Sequence, residues 1–255
     1  MNTTHETAVV IDDDNDVRSL LAEILRSAGF DVIEADNGID GIAAVLAHNP
    51  AITTLDVNMP GIDGFETARR IRAANSGTYI VLITALTDEA DSVLGFSVGA
   101  DDVVVKPFRA RELRARLLAA QRRTVLPNGG ETATPPSQST APATGWNGLH
   151  IDRQTRTATV DGQPIVLTRT EFDLLATIIE TEREVRTKAD LVRIAHAVPD
   201  MRVSVADERA IETHITNLRR KLGESAAEPR FIETVRGVGY RAIVEPLTPG
   251  IASVD

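Results

Sequence analysis

The first half of the chain alternates between two periods. Short apolar runs of strand length stand at Ala8–Ile11, Asp31–Ala35, Ile52–Asp56, Tyr79–Ile83 and Asp102–Val105. Amphipathic stretches of helical length follow them, at Val17–Ala28, Gly38–His48, Gly64–Ala74, Glu89–Val98 and Ala110–Arg123. A strand that is apolar on both faces needs cover on both faces, and the intervening stretches supply it. Leu20, Leu21, Ile24 and Leu25 show the one-sided stripe of such a covering helix. The alternation predicts an α/β unit, a parallel sheet with helices on both sides. Ligands of such sheets bind beyond the C-terminal ends of the strands.

The alternation stops at a stretch of different composition. Thr124–Gly145 reads TVLPNGGETATPPSQSTAPATG and carries one charge, Glu131. Rich in Pro, Gly, Ser and Thr, it cannot bury a core, which predicts a flexible linker over 124–146. With 255 residues, the chain then divides into a domain over 1–123, a second over 147–246 and a tail over 247–255. The second domain shows short strand candidates at Leu149–Ile151, Thr157–Val160 and Pro164–Leu167, then helical stretches at Thr170–Glu180, Lys188–His196 and Val205–Leu222. Phe231–Val235 and Tyr240–Val244 flank Arg236-Gly237-Val238-Gly239, a hairpin signal. That order predicts a small α+β domain. The net charge of −10 argues against a chain that binds polyanions over its whole surface and leaves room for a local basic face. Cysteine is absent, which excludes disulfides, thiolate metal sites and thiol nucleophiles. Met1–Val10 has neither the basic nor the apolar segment of a secretion signal, and no apolar run reaches 18 residues. The expected location is the cytoplasm, with no membrane association.

The strand ends of the first domain carry the chemistry. The first runs into Asp12-Asp13-Asp14 and the third ends at Asp56. In a parallel sheet with these strands adjacent, the carboxylates converge. Two unit charges about 4 Å apart repel by about 4 kcal/mol at an effective dielectric near 20. A hard divalent cation relieves that, and oxygen ligands suit Mg²⁺. Asp14 also suits a helix N-cap. The fourth strand ends at Thr84 and the fifth at Lys106-Pro107. Carboxylates, a metal, a hydroxyl and an ammonium together fit a phosphoryl group received by a carboxylate.

The segments VVIDDD, LDVNMPGIDGFE, LITA and GADDVVVKPF resemble the receiver domain of two-component response regulators, in order over residues 7–123. The resemblance implies a flavodoxin-like (βα)5 fold with Asp56 as phosphoacceptor. It implies Mg²⁺ held by Asp12, Asp13, Asp56 and the backbone carbonyl of Asn58. Thr84 becomes the switch hydroxyl and Lys106 the phosphate partner, before a cis Lys106–Pro107 bond. Two departures stand out. Val103 occupies the switch position where an aromatic residue is usual, and Ser92 replaces a usual arginine. Asp101, Asp102, Glu112, Arg116 and Arg123 match positions of the family's dimer face, which Ser92 deprives of one cation.

In the second domain, Ile211, Ile215, Leu218 and Leu222 form an apolar stripe, leaving Arg209, Thr213, Thr216, Asn217 and Arg220 on the other face. Arg and Lys neutralise phosphates, and Asn pairs with adenine edges. LTRTEFDLLATI, ERAIETHITNLRRKLGE and PRFIETVRGVGYR resemble the winged-helix DNA-binding domain of the OmpR/PhoB family. This implies promoter DNA binding with Val205–Leu222 in the major groove and the Arg236–Tyr240 wing near the minor groove. Arg209, His214, Arg219, Thr234 and Arg236 become backbone or wing contacts. Thr216, Arg220 and Asn217 complete the set, Asn217 as the base reader. The loop Ala195–Asp207 matches the segment that meets RNA polymerase, with His196-Ala197 where Trp-Gly is usual.

The resulting expectation is a DNA-binding transcriptional response regulator, phosphorylated on Asp56 by a cognate sensor histidine kinase with Mg²⁺. Active homodimers would occupy half-sites about one helical turn apart. It would be no enzyme beyond assisting its own phosphorylation and dephosphorylation. An alternative is an atypical regulator of the same fold, constitutive or controlled by a ligand or partner, which Val103 and Ser92 motivate. A metal-dependent phosphatase of the haloacid-dehalogenase type fits less well, because Asn58 stands where its second Asp belongs and the winged helix would be unexplained.

Overall fold

The computed structural model describes residues 6–74, 77–85, 94–124, 144–196, 198 and 202–243, with the side chains at 112, 122–124 and 144–146 outside the described set. Strands β1 Thr7–Ile11, β2 Asp31–Ala35, β3 Ile52–Asp56, β4 Tyr79–Thr84 and β5 Asp102–Val105 form one parallel sheet in the order β2-β1-β3-β4-β5. Helices α1 Asn15–Ser27 and α4 Ala110–Thr124 cover one face, and α2 Gly38–His48 and α3 Gly64–Ala73 the other. This is the flavodoxin-like arrangement. The stretch predicted as a helix over Glu89–Val98 lies partly outside the described residues; 94–97 are helical.

Strand parity divides the core. Val10, Ile52, Val81 and Ile83 pack with Leu21, Leu25, Leu113 and Leu117, while Val9, Ile11, Leu55 and Leu82 pack with Val45, Ala68 and Ile71. Each fully buried aliphatic side chain contributes about 2 kcal/mol. Helix α1 begins at Asn15, ahead of the predicted Val17, because the Asp14 side chain caps the backbone N–H groups of Asp16 and Val17. Gly64 opens α3 directly against β3: a Cβ there would lie 2.2 Å from the Asp56 carbonyl oxygen.

The C-terminal domain opens with a four-stranded antiparallel sheet of β6 Thr144–Trp146, β7 Leu149–Asp152, β8 Thr157–Val160 and β9 Gln163–Ile165. Strand β6 lies inside the segment assigned to the linker, so the folded domain starts earlier than 147. Thr144-Gly145-Trp146 carries no periodicity of its own and is ordered by pairing with β7. Then follow α5 Arg169–Glu180, β10 Arg186–Thr187, α6 Lys188–His196, α7 Val205–Leu222 and the hairpin β11 Ile232–Val235 and β12 Gly239–Ala242. Capping boxes start α5 (Thr168 with Glu171) and α7 (Ser204 with Asp207). The two-residue β10 pairs with β12 and was too short to predict. It also explains the second hairpin glycine. Gly237 has φ 74°, but Gly239 is needed for close approach, since a Cβ would sit 1.9 Å from the Arg186 carbonyl oxygen. Leu174, Leu175, Ile178, Leu191, Ile211, Ile215 and Phe231 form this domain's core.

Candidate functional site

Adjacent β1 and β3 deliver Asp12 and Asp56 to the same sheet edge, as the strand order requires. Asp12 and Asp56 are buried, Asp13 is exposed, and one carboxylate oxygen from each lies within 4.8 Å of the others. Lys106 follows β5 across the cis Lys106–Pro107 bond and donates from Nζ to Asp56 Oδ1 at 2.6 Å and Asp12 Oδ2 at 3.2 Å. The backbone N–H of Asn58 donates to Asp56 Oδ2 at 2.7 Å. Thr84 is buried at the end of β4, where its carbonyl accepts from the Lys106 N–H. Burial and then the charge of Asp56 raise the Asp12 pKa above the ordinary value. Burial opposes the Lys106 ammonium, but hydrogen bonding to Asp56 and the two carboxylate charges outweigh it and raise its pKa. Three hard oxygen donors facing one ammonium fit a small divalent cation. Sequence reasoning missed Arg18, whose Nη1 donates to the Asp12 carbonyl at 2.7 Å and grips the acidic loop.

Helix α7 presents three faces. Ile211, Ile215, Leu218 and Leu222 enter the core, and Arg209, Thr216 and Arg220 are exposed. The third face meets the first domain. Asn217 Nδ2 donates to the Phe96 carbonyl at 3.0 Å, and the His214 ring lies 4.7 Å from the Phe96 ring. Burial lowers the His214 pKa. Arg219 is also inside, donating to the Ile232 carbonyl at 2.9 Å and Thr234 Oγ1 at 2.8 Å. Three expected DNA contacts are thus placed differently: Arg219 braces the wing, and His214 and Asn217 are covered by the first domain. Thr234 and Arg236 are exposed on the wing.

The model of the response regulator receiver domain matches residues 8–118, and that of the transcriptional regulatory protein C terminal matches residues 162–242. The DNA-binding response regulator MtrA of Mycobacterium tuberculosis is 36% identical over 242 residues, covering 95% of this chain and 99% of MtrA. The chain is a response regulator of the OmpR/PhoB family. The transcriptional regulatory protein PrrA of the same organism is 35% identical, covering 93% of this chain and 96% of PrrA. A solved structure of a RitR mutant shares the fold over 94% of this chain and 100% of that one, at a TM-score of 0.69 and 22% identity.

The response regulator's expected dimer face is engaged internally. Asp101 accepts from the Ile80 N–H and, across the domain boundary, from the Thr170 N–H at the start of α5, each at 3.0 Å; Arg72 also donates to it. Asp102 accepts from Arg116 at 3.1 Å and lies 3.4 Å from His196 Nδ1 on α6. Burial alone would raise the Asp102 pKa, but Arg116 and then His196 hold it well below the usual carboxylate range. Glu112 and Arg123 have side chains outside the described set, and Ser92 lies outside the described residues. Val103 is half-buried and packs with the α2/α3 side of the core. Of the Ala195–Asp207 loop, 197 and 199–201 lie outside the described residues. Among the described residues, no helix is long and apolar enough to cross a membrane.

Proposed function

We propose that this response regulator is a cytoplasmic transcription factor controlled by phosphorylation of Asp56. The observation that carries the reading is the Asp12–Asp13–Asp56 cluster with Lys106 bonded to the acceptor carboxylate. A carboxylate oxygen of Asp56 attacks the phosphorus of a histidine kinase's phosphohistidine. The P–N bond breaks and the imidazole leaves. Mg²⁺, held by Asp12, Asp13, Asp56 and the carbonyl of Asn58, would neutralise the phosphoryl oxygens. Lys106 is placed to pass from Asp56 Oδ1 to a phosphoryl oxygen, and Thr84 to donate a hydrogen bond to another.

The output is promoter DNA bound by the exposed stripe Arg209, Thr216 and Arg220 of α7 together with Thr234 and Arg236 of the wing. In the resting chain, His214 and Asn217 are held by Phe96, and Asp101 and Asp102 by the DNA-binding domain. A homodimer through the same receiver face therefore requires the domains to part. Asn217 reads a base only after release. RNA polymerase is the further partner proposed for the Ala195–Asp207 loop. A second reading, control by a ligand or partner in place of phosphate, is favoured by Val103, which leaves the receiver without the usual aromatic switch.

Intact mass after incubation with Mg²⁺ and a small phosphodonor tests the reading, with DNA affinity measured on the same samples. One phosphoryl group on wild type and none on Asp56→Asn, with tighter DNA binding, is expected. No added group, or an added group without effect on DNA binding, would select the second reading.

A further inference from the structure

A cleft of about 1120 Å³ lies between the two domains, on the side away from the acidic site. Six cationic side chains line it against two carboxylates, Glu6 and Glu171, in a chain whose net charge is −10. Four of those cations are matched: Arg69 by Glu66, Arg72 by Asp101, Arg156 by Asp173 at 2.8 Å and Lys221 by Glu171 at 2.6 Å. Two are not. Arg169 crosses from the start of α5 to the receiver, where its Nε donates to the Gly77 carbonyl at 2.6 Å. Among the described residues, its terminal nitrogens make no hydrogen bond. Arg220, on the exposed face of α7, has no ion pair among the described residues. Burial weakens the hold of Arg169 on its proton; nearby Asp101 and Glu6 oppose this, and the like charges of Arg156 and Arg72 add to it. An apolar wall completes the cleft, with Phe172 under Arg156 and Val166 64% exposed.

We propose that this cleft binds a small phosphate-bearing anion that bridges the two domains. A guanidinium presents a planar fork that matches phosphate oxygens two at a time, and phosphate supplies the negative charge this cluster lacks. Cavities of roughly 300–1,000 Å³ hold whole small molecules, so a phosphate ester has room for an organic part against the apolar wall. The ligand contacts Arg169 and Arg220 from the DNA-binding domain and lies beside Arg72 of the receiver, so its binding favours the closed arrangement. The site is separate from Asp56, whose surroundings are acidic.

The probe is inorganic pyrophosphate, titrated by calorimetry into the full chain in EDTA so that no divalent cation recruits the acidic site. A dissociation constant below about 1 mM is expected. Arg220→Met and Arg169→Met should each weaken it on the order of tenfold, and Arg169→Lys less. Asp56→Asn and Arg111→Met, an exposed cation on α4, should leave it unchanged. Absence of binding at about 1 mM pyrophosphate overturns the proposal. So does an equal loss in Arg111→Met and Arg220→Met, which would mean general charge attraction, or a loss in Asp56→Asn, which would move the anion to the receiver site. If Arg169→Met fails to fold, the exposed Arg220 carries the test alone.

Discussion

Lys106 serves two acidic partners at once, and the balance among them sets what the acidic pocket can do. In the resting chain its ammonium neutralises part of the Asp12–Asp56 repulsion. Lys106→Met should therefore tighten Mg²⁺ binding, since a competing cation is gone, while slowing phosphorylation by a small phosphodonor at least tenfold, since a phosphoryl-oxygen partner is gone too. Calorimetry and intact mass separate the two effects. A fall in both would mean that Lys106 acts mainly on the fold. Asp12, Asp13, Asp56 and Lys106 were legible because strand ends in a parallel sheet must share an edge. Arg18 was not, because it holds the Asp12 and Asp13 carbonyls and leaves no mark in the charge pattern.

Helix α7 shows why periodicity places a helix better than it assigns its faces. Ile211, Ile215, Leu218 and Leu222 enter the core as their spacing predicts, but Asn217, on the face opposite the stripe, is covered by the receiver. Arg219 lies at the stripe's edge, where its guanidinium satisfies the Ile232 carbonyl. Arg219→Ala should cost about 1–3 kcal/mol in urea unfolding by leaving buried acceptors unpaired. It should leave the salt dependence of DNA binding nearly unchanged. Arg209→Ala and Arg220→Ala should do the reverse, each lowering the slope of log affinity against log salt by about 0.9 with little effect on stability. Equal slope changes in all three variants would return Arg219 to the DNA face.

The contacts between the two domains cover part of α7, which neither domain does alone. If binding requires α7 to leave the receiver, the apparent affinity is the intrinsic one scaled by the open fraction. Phe96→Ala removes the ring against His214, so it should raise DNA affinity of the unphosphorylated chain several-fold and narrow the gain on phosphorylation. Unchanged affinity in the unphosphorylated variant would show that this contact does not restrain binding. His214 adds a pH dependence. Its pKa is lowered in the closed state by burial, with Glu171, Asp101 and Asp102 opposing that and His196 reinforcing it. A histidine released to water regains its value of 6.5 and binds a proton more readily than the buried one. Closure is thus fully supported above pH 6.5 and is weakened progressively below it, down to the lowered value. His214→Phe should remove that component of the pH dependence, read as DNA affinity or small-angle scattering between pH 7 and 5.5.

By itself the sequence determined both folds and the gathering of Asp12, Asp13 and Asp56 at one sheet edge, because these follow from local periodicity and from residues at strand ends. The family resemblance rested on the same local segments. Tertiary structure alone decided which polar residues of α7 stay exposed, that Thr144–Trp146 is a strand, and that Asp101 and Asp102 bind the other domain. Those outcomes depend on contacts between segments far apart in the chain, such as Phe96 with His214 and Asp101 with Thr170. A side chain's pattern with its sequence neighbours fixes the face it occupies on its own element, but which of those faces becomes covered depends on what the rest of the chain packs against it.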